Sequence, residues 1–170
     1  MREDLKFIIG LTLIEGVGDI VAKKLIAYCG GPEAVFKEKK GGLLRIPSVG
    51  SKVAGAIVSQ KVLARAEEEI LFIQKKNVNP LFFLDKDYPQ RLKYCDDSPI
   101  VLYCKGDMNL NKQKVISIVG TRRITEYGKR ICEKLIEDLS RHDILIVSGL
   151  AYGVDICAHQ SAVKCNMQTI

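Results

Sequence analysis

Along the first 76 residues apolar positions recur every three or four places, as at Leu5, Ile8 and Ile9 and again at Leu63, Ala66, Ile70 and Ile73. That spacing lines one face of a helix, so the segment reads as all-helical. A degenerate repeat overlies it. Leu11, Ile14, Gly18, Val21, Ala22 and Leu25 return downstream as Leu43, Ile46, Gly50, Val53, Ala54 and Ile57. Each copy predicts a short helix, a tight turn and a second helix. The turns are Gly16-Val17-Gly18 and Ser48-Val49-Gly50, and the second lacks the first glycine of its counterpart.

From about Asn77 the pattern changes to short apolar runs bounded by turn residues. Residues 78–84, 99–104, 115–119 and 144–147 read as strands, and 125–140 and 153–165 as helices. Ile131, Leu135, Ile136 and Leu139 are expected on the buried face of the first helix; Ile156, Cys157 or Ala158, and Val163 are expected to be buried by the second. Strand–helix–strand–helix alternation predicts an α/β fold with a parallel, doubly wound sheet, the 78–104 strands lying beside it. Gln168-Thr169-Ile170 reads as the first step of a third parallel strand. The expected organisation is therefore a helical domain at 1–76 and an α/β domain at 77–170, the latter incomplete at its C-terminal end.

Composition narrows this only a little. The 170 residues are 47% hydrophobic and 27% charged, as in a soluble globular protein, and the net charge of +6 is spread evenly over both halves. A modest basic excess favours a polyanionic partner without specifying one. The six cysteines form no C-x-x-C pair, and Cys157 with His159 lacks a second ligand pair, so no metal site is expected. The acidic start Met-Arg-Glu-Asp is unlike a secretory leader, and no apolar run approaches the roughly 20 residues that span a bilayer. A cytoplasmic location without membrane attachment is the expectation.

The candidate chemistry lies in two loops that each leave a strand and open a helix: Val119-Gly120-Thr121-Arg122-Arg123, and Ser148-Gly149-Leu150-Ala151-Tyr152-Gly153-Val154-Asp155. Small residues at such junctions let backbone N–H groups and a helix N-terminus approach an anion. Ligands of doubly wound folds sit beyond the carboxyl ends of the strands, where both loops would lie. Gly120 allows close approach, Thr121 brings a hydroxyl, and Arg122 and Arg123 bring planar cations suited to phosphate oxygens. Ser148, Gly149 and Gly153 would form the other wall. Asp155 and His159, four apart on a helix, suit a loop-fixing hydrogen bond better than an acid–base pair. A second, weaker candidate is the pair of helical hairpins. They look like a tandem helix-hairpin-helix unit, and by that resemblance Gly16, Gly18 and Gly50 would aim amides at a DNA phosphate, with Lys23, Lys24 and Lys52 adding charge. No G-x-G-x-x-G, Walker loop or nucleophile elbow is present, so neither a nucleotide cofactor nor catalysis is expected.

These residues resemble the DNA-processing DprA (Smf) family of bacteria. The resemblance is carried by Ile118-Val-Gly-Thr-Arg122 with Thr125, Tyr127 and Gly128, then by Val147-Ser-Gly-Leu-Ala-Tyr-Gly-Val-Asp155, Ala158-His159 and Gln168-Thr-Ile170. Asp87-Tyr-Pro89, Leu92, Pro99, Leu102 and Gly106 extend it upstream. It implies an extended Rossmann-like domain behind helix-hairpin-helix-like repeats, and a homodimer. By the same resemblance the protein binds single-stranded DNA and helps load the RecA recombinase in natural transformation, with no enzymatic activity. Arg122 would hold a DNA phosphate, with Thr121 in place of the family's usual serine, and the glycines and Asp155 would match the second loop of the same DNA-binding pocket. Further DNA contacts, dimer and RecA surfaces are expected beyond residue 170. The same loops also resemble Rossmann-like nucleoside monophosphate phosphoribohydrolases, which is the alternative, although that class needs a further glycine-rich loop and a catalytic glutamate downstream.

Overall fold

A computed structural model describes residues 2–107 and 109–170. They form two compact units, Met1–Gly106 and Asp107–Ile170.

The first unit opens with α1 (Leu5–Thr12), α2 (Asp19–Cys29), α3 (Pro32–Lys37), the single turn α4 (Lys40–Leu43), α5 (Ser51–Ser59) and α6 (Val62–Lys76). The sequence repeat is a structural repeat. Leu11 and Leu43, Ile14 and Ile46, Val17 and Val49, Ala22 and Ala54, and Leu25 and Ile57 are buried as matching pairs in one core. Gly18 and Gly50 precede α2 and α5 with the same extended backbone, φ −87° and −88°. The missing glycine does not spoil the second turn: Ser48 takes the left-handed conformation, φ 74°, that Gly16 takes at 88°. A serine tolerates this conformation at a cost of roughly 1–2 kcal/mol. Leu5, Ile9, Ala66 and Ile73 form a further cluster, where the apolar stripe of α1 meets that of α6.

β1 (Asn79–Phe82) and β2 (Val101–Cys104) follow, with the turn α7 (Gln90–Lys93) between them. They pair antiparallel, Asn79 opposite Cys104 and Phe82 opposite Val101. This differs from the expected arrangement: they make a sheet of their own rather than extending the parallel one. They also belong to the first unit, because Phe82, Ile100 and Val101 enter the same core as Ile8 and Leu25. Asp19, at the start of α2, accepts the Ile100 N–H at 2.8 Å, and Tyr88 is fully buried with its hydroxyl donating to the Pro99 carbonyl at 2.7 Å. The composition change near residue 77 thus marks a change of secondary structure inside one compact unit.

The second unit is β3 (Lys114–Ser117), α8 (Glu126–Leu139), β4 (Ile144–Val147) and α9 (Val154–Lys164). β3 and β4 are parallel, Lys114 opposite Ile144 and Ser117 opposite Val147. The expected third strand is begun: Thr169 bridges Ile146 in parallel, and the Ile170 N–H donates to the Ile146 carbonyl at 2.9 Å. β4 is therefore central and carries the buried run Ile144, Leu145, Ile146. The helix faces differ from the expected ones in part, Ile136, Cys157 and Ala158 being buried as expected. Cys132 and Ile136 are buried on α8 while Ile131 and Leu135 are about half exposed; Cys157, Ala158 and Ala162 are buried on α9 while Val163 points out. Cys132, Cys157, Ala158 and Ala162 join Ile136 in this core, while Ile131 and Leu135 stay half exposed.

Candidate nucleic-acid interface

The two strand-end loops leave the parallel pair together. The Ile118 N–H donates to the Val147 carbonyl at 2.9 Å, and one step on the Ser148 hydroxyl donates to the Ile118 carbonyl at 2.7 Å. Beyond that point the loops lock edge to edge. The Val154 N–H donates to the Thr121 carbonyl at 3.1 Å. Gly153 has φ +86°, and a Cβ there would lie 2.6 Å from the Arg122 carbonyl carbon, so only glycine fits. A Cβ on Gly120 would lie 2.6 Å from a Val154 methyl. The glycines thus serve the packing of one loop on the other.

Several polar groups are spent on holding this shape. Thr121 Oγ1 accepts the Arg123 N–H at 3.1 Å, and Thr125 caps α8 by accepting the Gly128 N–H at 3.1 Å. Asp155 is 5% exposed and accepts the Gly149 N–H at 3.1 Å, the loop-fixing bond expected of it. The Asp155 carboxylate is thus engaged within its own loop. His159 bonds elsewhere, its Nδ1 lying 2.7 Å from Thr169 Oγ1 in the nascent third strand. Ser148, already donating to Ile118, has only its lone pairs left to offer.

Two cations remain outward. Arg122 and Arg123 are exposed, and among the described residues neither is paired with a carboxylate. An open cavity of ≈ 400 Å³ lies beside Arg122, lined also by Leu150, Ala151, Tyr152 and Ile156. Tyr152 is 84% exposed. Leu150, Ala151, Tyr152 and Ile156 were not among the expected site residues, although the first three lie on the second expected loop.

The hairpin turns of the first unit have a different setting. Gly16, Gly18 and Gly50 are exposed, with open space around Gly18 and Gly50. Their lysines have partners: Lys23 donates to the Asp96 carbonyl at 2.8 Å and to the Ser98 hydroxyl at 2.7 Å, and Lys24 reaches Ser48 Oγ at 3.5 Å. Lys52 pairs with Glu15 at 2.8 Å, and that hydrogen bond and charge hold Glu15 below the usual carboxylate range. Among the described residues there is no cluster of side chains able to hold a metal ion, and no helix is long and apolar enough to cross a membrane. The cysteines are free.

Fold and site together define an α/β protein whose two strand-end loops lie edge to edge and carry two exposed arginines without carboxylate partners among the described residues. Residues 79–170 match the family model of DNA recombination-mediator protein A. DNA processing protein DprA of Bacillus subtilis is 41% identical over 98 residues, covering 57% of this chain and 33% of that protein. Protein Smf of Synechocystis sp. is 31% identical over 161 residues, 92% of this chain and 40% of that protein. The crystal structure of DNA processing protein A from Streptococcus pneumoniae superposes with a TM-score of 0.73 at 25% identity, over 99% of this chain and 57% of that one. The chain belongs to the DprA/Smf family of DNA recombination mediators. It spans two-fifths or less of the length of these two curated relatives.

Proposed function

We propose that this chain binds single-stranded DNA by seating a backbone phosphate between the two strand-end loops, in the service of DNA uptake and recombination. The observation that carries the reading is the pair of exposed arginines, without carboxylate partners among the described residues, on a loop braced by the neighbouring one. Arg122 supplies a planar fork of donors, and the loop at Gly120, held against Val154, keeps that fork in place. The second unit is read as the front of an extended Rossmann-like sheet, and the family model's start at residue 79 favours a functional division near 77. The hairpins of the first unit are read as helix-hairpin-helix-like elements that assist binding through Gly16, Gly18, Gly50, Lys23 and Lys52. Loading of a RecA-type recombinase, homodimer formation, action in the cytoplasm and the absence of catalysis belong to the same reading. The family assignment favours it over the phosphoribohydrolase alternative.

The test is anisotropy of a labelled oligothymidylate across a salt series, wild type against Arg122→Ala. Loss of one phosphate contact should lower affinity and reduce the slope of log K against log salt by about 1. Equal affinity and equal slope would remove Arg122 from the mechanism.

A further inference from the structure

We propose that the first unit carries a second nucleic-acid site, a basic strip of Lys24, Lys39, Lys40 and Arg45 that binds the phosphate backbone of a DNA duplex. The inference goes beyond the reading above: it gives the helical hairpins a ligand and cations of their own, and it is independent of the strand-end seat.

Charge in the first half of the chain is segregated. Residues 20–61 hold eight basic and two acidic residues, whereas the rest of residues 1–85 hold five basic and eight acidic. The basic stretch covers the second helix of the first hairpin, the connection and the second hairpin, from α2 to the end of α5. Both of its acids are engaged locally. Glu33 pairs with Lys37 at 2.7 Å, and the Glu38 carboxylate folds over Gly42 and accepts the Lys39 N–H at 2.9 Å. Lys23 and Lys52 are held by Asp96, Ser98 and Glu15. Lys24, Lys39, Lys40 and Arg45 make no ion pair among the described residues.

Folding brings these four to one side. Lys24 and Tyr28 stand one turn apart on α2, opposite its buried Ala22, Leu25 and Ile26. Lys24 Nζ lies 3.5 Å from Ser48 Oγ, and Tyr28 lines a small cavity of ≈ 150 Å³ together with Glu38, Gly42 and Arg45. Lys39 and Lys40 stand between Glu38 and Gly42 in the chain and are exposed, as are Tyr28 and Arg45. The cations therefore border one strip along the outer face of α2.

The ligand follows from the form of the strip. A cavity of ≈ 150 Å³ falls well short of the roughly 300 Å³ at which ligand pockets begin, so it encloses no free nucleotide. Three of the four cations are lysines, compact charges that meet phosphates without fixing their orientation. Such contacts position a backbone and read no sequence. A duplex presents a phosphate about every 1.7 Å along its axis, twice the density of one strand, and it arrives already ordered. Cations mounted on a packed helical scaffold gain most from a polyanion of that kind.

The experiment follows anisotropy of a short labelled blunt duplex, and separately of oligothymidylate, across a salt series with the full chain. The quadruple variant Lys24→Ala, Lys39→Ala, Lys40→Ala, Arg45→Ala is compared with a control, Lys75→Ala with Lys76→Ala, which removes exposed charge from the end of α6. Superimposable thermal melts check that both fold. The quadruple variant should weaken duplex binding about tenfold or more at low salt and flatten the slope of log K against log salt by about 3 to 4. Its affinity for oligothymidylate should stay within about threefold of wild type, and the control should stay within about twofold on the duplex. Unchanged duplex affinity in the quadruple variant, or an equal loss in the control, would overturn the site. Equal losses on duplex and single strand would overturn the assignment to a duplex. Competition by polyglutamate as strong as by unlabelled duplex would overturn it in favour of an acidic protein partner. None of these outcomes involves Arg122, whose own titration decides the strand-end seat.

Discussion

The hairpin turns of the first unit and the strand-end loops of the second use the same local device, small residues in front of a helix N-terminus. They differ in what surrounds it. At α2 the side chain of Asp19 accepts the Ile100 N–H, and Lys23 is held by Asp96 and Ser98. Those groups fasten the β1–β2 hairpin to the helices. At β3 and β4 the fastening is done by Asp155, Ser148 and backbone carbonyls, and the arginines are left over. A glycine-rich turn is thus an opportunity for anion binding; whether it becomes a site depends on which cations the fold has already used.

The sharpest way to break this comparison is at the glycines. Gly153→Val places a branched side chain at positive φ against the Thr121–Arg122 backbone and should destabilise the second unit by on the order of 3 kcal/mol. Gly18→Ala and Gly50→Ala, with open space around them, should each cost less than about 1 kcal/mol. Urea unfolding of the three variants measures both effects, and similar losses would erase the distinction between loops that lock and turns that do not.

Removal of the loop brace comes next. Asp155→Ala leaves the Gly149 N–H without its acceptor and should cost about 1–3 kcal/mol. Asp155→Asn keeps an acceptor oxygen and should recover most of that stability in the same melts. An Asn variant as weak as Ala would show that charge, not the hydrogen bond, matters there.

In binding, Arg122→Ala should weaken single-stranded DNA about tenfold or more, as for loss of one charge-assisted hydrogen bond. Lys52→Ala, whose ammonium already faces Glu15, should change affinity by less than about threefold on the scale of a screened surface charge. The reverse order in anisotropy titrations would move the principal site to the hairpins. The smallest effect concerns the repeat itself. Gly16→Ser should cost about 1 kcal/mol, because it imposes on the first turn what Ser48 already bears in the second; Ser48→Gly should shift stability by less. Thermal melts of the two variants would show whether the turns are equivalent.

Much of this was legible in the sequence because it depends on local spacing. The matched pairs from Leu11 and Leu43 through Leu25 and Ile57 mark both hairpins, and the run Ile144–Val147 marks a strand buried on both faces. The two loops were recognisable from their glycines, arginines and flanking strands. Other features depend on partners distant in the chain. Nothing near Phe82 or Val101 says that the hairpin they belong to joins the helical core, since Asp19 is what clamps it there. Periodicity placed Ile131 and Leu135 inward because it counts large apolar residues, whereas the core beside α8 and α9 also takes small ones such as Cys132 and Ala162. Tyr152 was passed over because its exposure follows from the conformation of Leu150 and Gly153, which composition does not reveal.

The central claim, that the two strand-end loops act as one seat, is tested most directly by following backbone amide resonances during titration with oligothymidylate. The account predicts that the amides of Gly120, Thr121 and Arg122 and those of Gly149 and Tyr152 shift together, with one affinity, while Gly18 and Gly50 shift less. Shifts confined to the hairpin turns, or to one strand-end loop without the other, would contradict it.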